Sequence, residues 1–140
     1  MTTIQLTIQN WLTRNAQTRG THTALVFERE RWTYRRYNEE VNRVCHAFQT
    51  AGVKKGDVVV TLLSNSIEIL EVYWACAKLG AIAAPMSPLL RGNGLVSLLT
   101  DAEPAIVVVN SDTAPHLAAV LTELPKLQKS AIWATCSESV

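Results

Sequence analysis

Apolar positions along the chain follow two spacings, one typical of helices and one typical of buried strands. The clearest helical stripe has apolar side chains three or four residues apart, at Tyr37, Val41, Val44, Phe48 and Ala51. This spacing places them on one face of a helix. Thr33 precedes the stripe as a candidate N-cap, and Gly52 follows it as a stop signal. We therefore predict a helix between these two residues.

Short β-branched and apolar runs separate further helical patterns. The run Val58–Leu63 is almost continuously apolar, which is typical of a strand buried on both faces. Similar but shorter runs predict strands at Ala81–Ala84, Ala105–Val109 and Ser130–Ala134. The strand Val58–Leu63 should lead into a helix over Ile67–Leu79. Asn65 is its predicted N-cap, Glu68 nearly completes a capping box, and Gly80 ends the helix.

Two more helices are predicted between the later strands. One carries Leu95, Leu98, Leu99 and Ala102 and ends before Pro104. The other begins at an Asp112 cap and ends at Pro125, and its apolar stripe comprises Leu117, Val120, Leu121 and Leu124.

The first third of the chain has a different pattern. A helix is predicted from the spacing of Ile4, Ile8, Trp11 and Leu12. A hairpin follows, with strands at Thr23–Phe27 and Trp32–Thr33 joined by a charged turn. The whole pattern predicts an α/β fold: a mainly parallel sheet of βαβ units with helices on both faces, preceded by a helix and a β-hairpin. We assign residues 1–134 to this partial domain and residues 135–140 to a polar tail.

Composition narrows the class of protein. The chain has 140 residues, is 48% hydrophobic and carries a net charge of +1, so no long-range field favours nucleic acid, an anionic membrane or an acidic partner. No run of 18 apolar residues predicts a transmembrane helix, and the N-terminus lacks a secretory pattern. Cys45, Cys76 and Cys136 form no paired motif, which favours reduced thiols and a cytoplasmic protein.

Two loops carry residues that could hold a phosphate or another anion. Gly92-Asn93-Gly94, with Ser97 in the place of a third glycine, partly matches a dinucleotide fingerprint, but the preceding strand ends seven residues too early. A plain turn and helix start is the favoured interpretation. Ser64, Asn65 and Ser66 could place an anion on a helix N-terminus, and the simpler alternative is that Asn65 only caps the helix.

The other candidates for chemistry are weak. His22, His46 and His116 lack metal-ligand spacing, and neighbours on a helix such as Cys45 and His46 point in different directions. An arginine-rich stretch interleaves with Trp32, Tyr34 and Tyr37 and could suggest single-stranded nucleic acid; its arginines are Arg29, Arg31, Arg35, Arg36 and Arg43. Four glutamates in the same stretch favour a solvated, ion-paired face. No catalytic, cofactor-binding or metal residue is assigned.

The order of several short segments resembles the N-terminal region of the adenylate-forming superfamily, which includes acyl- and aryl-CoA synthetases. The segments, in chain order, are Trp32–Tyr34, Ala51–Val59, Asn65–Glu68, Ala77–Ala81 and Ala84–Pro88. The resemblance runs from about Thr23 to Val109, with a weaker continuation to Trp133. Four positions depart from the family pattern: Arg36 stands in place of glutamate, Ser87 in place of asparagine, and Asn93-Gly94 where acidic residues are common.

The resemblance implies a fragment of an AMP-forming acid–CoA ligase that is inactive alone. The family's phosphate loop, its ribose-binding aspartate and its adenylation lysine have no counterpart in this sequence, so the catalytic core and the C-terminal domain are absent. ATP, Mg²⁺ and coenzyme A are implied for the full-length enzyme, with a small carboxylic acid as substrate and the remainder of the ligase chain as partner. A non-enzymatic assembly module, homo-oligomeric through the apolar Ile67–Leu79 helix, is the alternative.

Overall fold

A computed structural model describes residues 7–127 and the strand residues 131–134. The helices are α1 (Ile8–Thr18), α2 (Tyr34–Thr50), α3 (Ile67–Leu79), α4 (Gly92–Ala102) and α5 (Ala114–Ala118), followed by a 3₁₀ turn at Leu121–Glu123. The strands are β1 (Thr23–Phe27), β2 (Glu30–Thr33), β3 (Val58–Leu62), β4 (Ile82–Pro85), β5 (Ile106–Val109) and β6 (Ala131–Ala134).

Four of the strands form one parallel sheet in the order β4-β3-β5-β6. Strands β1 and β2 form a separate antiparallel hairpin that follows α1. The predicted α/β fold, with a helix and a hairpin before βαβ units, is therefore confirmed. The chain adds β4 on one side of β3 and then β5 on the other side, so the strand order reverses at β3.

Each face of the sheet carries its own apolar core. On one face, Val59, Ile106 and Val108 pack with buried residues of α1, α2 and α3. On the other face, Val60, Leu62, Val107 and Val109 pack with α4, α5 and the chain that follows α5. Helices on both faces explain why β3 and β5 are apolar at every position except Thr61, which is also fully buried.

The predicted N-cap and stop residue of α2 are both correct. The Thr33 hydroxyl accepts a hydrogen bond from the Arg36 amide at 3.2 Å. At the other end Gly52 has φ +89°, and the Val53 amide donates to the Phe48 carbonyl at 2.9 Å. This is the Schellman geometry that a glycine stop favours. Of the predicted stripe, only Ala51 is exposed, because it lies beyond the last helical residue.

Several predicted boundaries were wrong by one to three residues. Strand β2 begins at Glu30, so the hairpin turn is shorter than predicted, and β4 begins at Ile82. Helix α3 has the predicted bounds, but its N-cap is Ser66, and Asn65 lies one residue too early to cap it. Glu68 is consequently the second helical residue, whereas a capping box requires the third. Ile4, Ser130 and the 135–140 tail lie outside the described residues.

The helix predicted from Asp112 to Pro125 was also wrong. Only Ala114–Ala118 is α-helical, and the chain then continues through hydrogen bonds between residues three apart, as in Glu123 to Val120 and Leu127 to Leu124. Side chains three residues apart lie on the same side of such a turn. This tighter winding keeps four buried side chains facing the sheet: Leu117, Val120, Leu124 and Leu127.

Candidate ligand-binding edge of the sheet

The carboxyl ends of β3 and β5 meet where the strand order reverses, and this is the place where doubly wound sheets usually bind ligands. Strand β3 leads into the loop Leu63–Ser66, and β5 leads into Asn110–Thr113. The loop after β4 begins at Met86, whose amide donates to the Thr61 carbonyl at 2.9 Å. The loops that follow β3, β4 and β5 therefore lie along one edge of the sheet.

The Asn110–Thr113 loop is closed by its own side chains. The Asn110 side-chain oxygen accepts hydrogen bonds from the amides of Asp112 and Thr113, at 3.2 and 3.1 Å, and from the Thr113 hydroxyl at 3.0 Å. The Thr113 hydroxyl in turn accepts from the Asn110 amide at 3.1 Å. These bonds occupy the donors that a ligand would otherwise use, and they explain why Asp112 does not cap α5. The conformation of this loop is therefore held by its own side chains.

The Leu63–Ser66 loop is more open. Ser66 has an extended backbone before α3 but makes no side-chain hydrogen bond to the helix, and Asn65 is exposed. The first amides of α3 consequently have no side-chain cap among the described residues. Glu68 lies in the first turn, where its negative charge already complements the helix dipole. A second anion at this terminus would be repelled by Glu68.

A buried hydroxyl without a partner lies near this edge. Thr61 is fully buried, on the face of β3 that α3 covers, and its Oγ1 has no hydrogen-bond partner among the described residues. Leaving a buried hydroxyl unpaired costs roughly 1–3 kcal/mol. The sequence pattern did not reveal this group, because a threonine in a β-branched run looks like any other strand residue.

Gly92 and Gly94 form the first turn of α4, as the favoured interpretation predicted. Gly92 has φ +48°, and β4 ends at Pro85, well before these glycines. The Arg91 guanidinium instead ties the intervening loop together, donating to the carbonyls of Pro88 and Leu90 at 2.7 and 2.8 Å. A dinucleotide fingerprint requires the glycines directly after the strand, so this segment does not have that geometry.

A perturbed carboxyl group that the sequence pattern did not reveal lies between α2 and α3. Burial, reinforced by the nearby charges of Glu68 and Glu40, raises the pKa of Glu71 to about 7, and Arg36 opposes the shift. Burial also raises the pKa of Tyr37, with Glu71 as the second cause. The only signal in the sequence was an acidic residue within an otherwise apolar helix.

The arginine-rich stretch is ion-paired in part. Arg36 lies 3.7 Å from Glu30 and its guanidinium stacks 4.0 Å above the Trp32 ring, while Arg43 lies 2.6 Å from Glu40. The Trp32 indole also donates to Glu30 at 2.6 Å. The aromatic rings are thus held within the fold, in agreement with the solvated, ion-paired interpretation.

The cysteines and histidines do not converge. Cys45 and Cys76 are buried, and the Cys45 thiol donates to the Ala75 carbonyl at 3.8 Å. Burial raises the pKa of Cys76 to about 12, so its thiolate is disfavoured. His22 lies in the turn before β1, His46 on α2 and His116 on α5, and the described part of the chain contains no group of three metal-binding side chains. Cys136 lies outside the described residues.

Comparisons with known proteins identify the larger unit to which this edge belongs. The profile of the family "AMP-binding enzyme" matches residues 12–138, which is most of the chain. The chain belongs to this family. The predicted resemblance to adenylate-forming enzymes of the acyl-CoA synthetase type is therefore confirmed.

Individual relatives show how much of such an enzyme the chain represents. It is 33% identical over 103 residues to long-chain fatty acid transport protein 6 of Mus musculus, covering 73% of this chain and 17% of that protein. It is also 33% identical over 106 residues to a 2-succinylbenzoate–CoA ligase of Bacillus cereus, covering 76% of this chain and 22% of that protein. The chain thus spans about a fifth of the length of these relatives.

A solved structure agrees with the sequence comparisons. The fold superposes on the anthranilate CoA ligase AuaEII, in complex with anthranoyl-AMP, with a TM-score of 0.83 and 28% identity, over 92% of this chain and 25% of that one. Among residues 7–127 and 131–134, no helix combines the length and apolarity needed to cross a bilayer.

Proposed function

We propose that this chain is the N-terminal scaffold of an ATP-dependent, AMP-forming acid–CoA ligase and has no ligase activity alone. The observation that carries the proposal is the family match over residues 12–138 in a chain that spans only 17% and 22% of two relatives. The Asn110–Thr113 loop, which is closed by its own hydrogen bonds, supports a structural role for this chain.

The complete enzyme would catalyse a two-step reaction. A carboxylate attacks the α-phosphate of ATP, forming an acyl-adenylate and releasing pyrophosphate, and the thiol of coenzyme A then displaces AMP. Mg²⁺ would neutralise the triphosphate charge. The remainder of the ligase polypeptide would supply the groups that act on the substrates, and the present chain would hold the sheet edge against which they are positioned.

The names of the relatives do not point to one carboxylic acid as the substrate. One is named for long-chain fatty acid transport, one for 2-succinylbenzoate and one for anthranilate. The proposal therefore extends to a small-molecule carboxylic acid, with fatty acid metabolism as one context. It also retains the prediction of a cytoplasmic enzyme without a nucleic-acid partner.

The assembly alternative was based on the mostly apolar helix over Ile67–Leu79, which is α3. No residue of α3 is exposed, because this helix packs against α1 and α2. The apolar length of α3 is thus explained within the chain itself.

Acid-dependent pyrophosphate exchange tests the proposal. The purified chain, given ATP, Mg²⁺ and a panel of carboxylic acids, should give no exchange above a protein-free blank, and exchange by a homogeneous sample would refute its inactivity. A chimera in which this chain replaces the matching segment of the Bacillus cereus relative should fold and exchange pyrophosphate with 2-succinylbenzoate. The same chimera with Val60→Asp in the core is the matched control and should fail.

A further inference from the structure

Apolar and cationic side chains are exposed along α1 and at its C-terminal end, on what we call the α1 surface: Ile8, Trp11 and Arg14 of α1, Arg19 at its C-cap, and Arg35 of α2, which lies beside Gly20. Ile8 is 71% exposed and Trp11 is 44% exposed, although Leu12 and Asn15 of the same helix are buried. Two clefts flank the Trp11 ring. One, of about 300 Å³, is lined by Thr7, Ile8, Trp11 and Trp74, and the other, of about 390 Å³, by Trp11, Arg14, Asn15, Thr18 and Arg19.

The fold holds the Trp11 ring in its exposed position. The ring stacks on Trp74 with centroids 5.9 Å apart and planes 13° from parallel, and it meets the edge of Tyr34 at 6.1 Å. Trp74 belongs to α3 and Tyr34 begins α2, so the two rings that support Trp11 belong to the core layer beneath α1. Because Trp11 is already ordered, a partner that contacts it has little side-chain entropy to overcome.

Three arginines lie along α1 and at its C-terminal end. Arg14 and Arg19 line the second cleft. The Arg35 guanidinium packs beside Gly20, just after α1, where a β-carbon on Gly20 would lie 3.3 Å from it. Within residues 7–127, none of these three arginines forms a salt bridge. The first acidic residue of the sequence is Glu28, and the net charge of +1 conceals this uneven distribution.

We propose that the α1 surface docks onto an anionic lipid surface. An indole ring with a neighbouring aliphatic side chain suits the boundary between headgroups and acyl chains, and guanidinium groups pair with lipid phosphates. A second copy of the chain is a poorer occupant, because three unpaired arginines on each copy would face each other across a twofold axis.

Sedimentation with lipid vesicles tests this proposal, which is independent of the acid that the enzyme activates. The whole chain should co-sediment with phosphatidylcholine vesicles that contain phosphatidylglycerol and remain in solution with phosphatidylcholine alone, and binding should fall as salt rises. The double variant Arg14→Glu, Arg19→Glu and the single variant Ile8→Ser should each lower partitioning about tenfold or more. Both variants alter exposed side chains and should melt like the parent chain.

Matched controls separate the surface from general charge and hydrophobicity. Lys54→Glu with Lys55→Glu makes the same change in charge elsewhere, and Leu89→Ser removes an apolar side chain that is 80% exposed; both should bind like the parent. Equal binding to neutral vesicles, no binding to either kind, or equal losses in the controls would overturn the proposal. It would also be overturned if light scattering without lipid showed a dimer that Ile8→Ser dissociates, because the surface would then belong to a second copy.

Discussion

Lys78 donates from its ammonium group to the side-chain oxygen of Asn38 at 2.5 Å, which ties α3 to α2. A second bond runs to Asn42 at 2.7 Å, and the Thr13 hydroxyl of α1 also reaches Asn38 at 3.4 Å. Lys78 is partly buried, and this burial lowers the pKa of its ammonium group. The three helices on this face of the sheet are therefore joined by a polar link as well as by apolar packing.

Removal of the Asn38 side chain should destabilise the chain. Asn38→Ala leaves a partly buried ammonium group with one acceptor fewer, so we expect a loss of about 1–2 kcal/mol in the free energy of unfolding. Asn42→Ala removes the more exposed acceptor and is the matched control, with an expected loss less than half as large. Urea denaturation followed by circular dichroism measures both, and equal losses would contradict the importance of Asn38.

Glu71 should make stability depend on pH. Its pKa is raised from 4.5 to about 7 in the folded chain, so the folded state binds the proton more tightly than the unfolded state. Stability from this group is present below about pH 4.5 and is lost as pH rises toward about 7. Glu71→Gln should therefore raise stability by about 1–2 kcal/mol at pH 8, allowing for partial solvent screening, and change it little at pH 4.

Thermal unfolding at several pH values measures this difference. Glu39→Gln, at an exposed position of α2, removes the same charge and should leave the pH dependence unchanged. If Glu71→Gln stabilised the chain equally at pH 4 and pH 8, titration of Glu71 would not be the cause.

Two buried threonines should respond in opposite ways to the same substitution. Thr61→Val removes a hydroxyl that has no hydrogen-bond partner among the described residues, and should stabilise the chain by about 1 kcal/mol. Thr113→Val removes two bonds with Asn110 and should destabilise it by about 1–3 kcal/mol. Chemical denaturation distinguishes the two signs, and a loss of stability in Thr61→Val would indicate that its hydroxyl has a partner.

The two helix-stop glycines should differ in their tolerance of alanine. Both have positive φ, so Gly52→Ala and Gly80→Ala should each cost about 1 kcal/mol in backbone strain. A β-carbon at Gly80 would also lie 3.0 Å from Lys55 Cγ, whereas at Gly52 it would meet nothing within 4 Å. Gly80→Ala should therefore be the more destabilising in thermal unfolding.

Gly94→Ala is the control for this pair. Gly94 lies within α4 without a positive φ, and its nearest neighbour would be Leu90 Cδ2 at 3.9 Å. Here alanine should stabilise the chain by about 0.5–1 kcal/mol, because it favours the helix. A destabilised Gly94→Ala would show that this first turn of α4 needs glycine.

The sequence predicted most elements because each has a strong periodic pattern with a stop signal, as α2 has between Thr33 and Gly52. It failed where side chains bond to the local backbone. The Asn110 side chain accepts hydrogen bonds from the amides of Asp112 and Thr113, and α5 therefore starts later than predicted. The spacing of apolar residues gives no sign of such a side-chain bond to the backbone. The raised pKa of Glu71 and the missing partner of Thr61 depend on which elements pack together, so they required the fold.

The strand order has a consequence for the nascent chain. Strand β3 is synthesised before both of its neighbours, β4 and β5, yet it lies between them. From the emergence of Val58 until Val109 has left the ribosome, this very apolar segment has at least one bare hydrogen-bonding edge. Such an edge invites pairing with other chains. Translation speed and chaperone capture over this stretch should therefore govern how much soluble product a cell obtains.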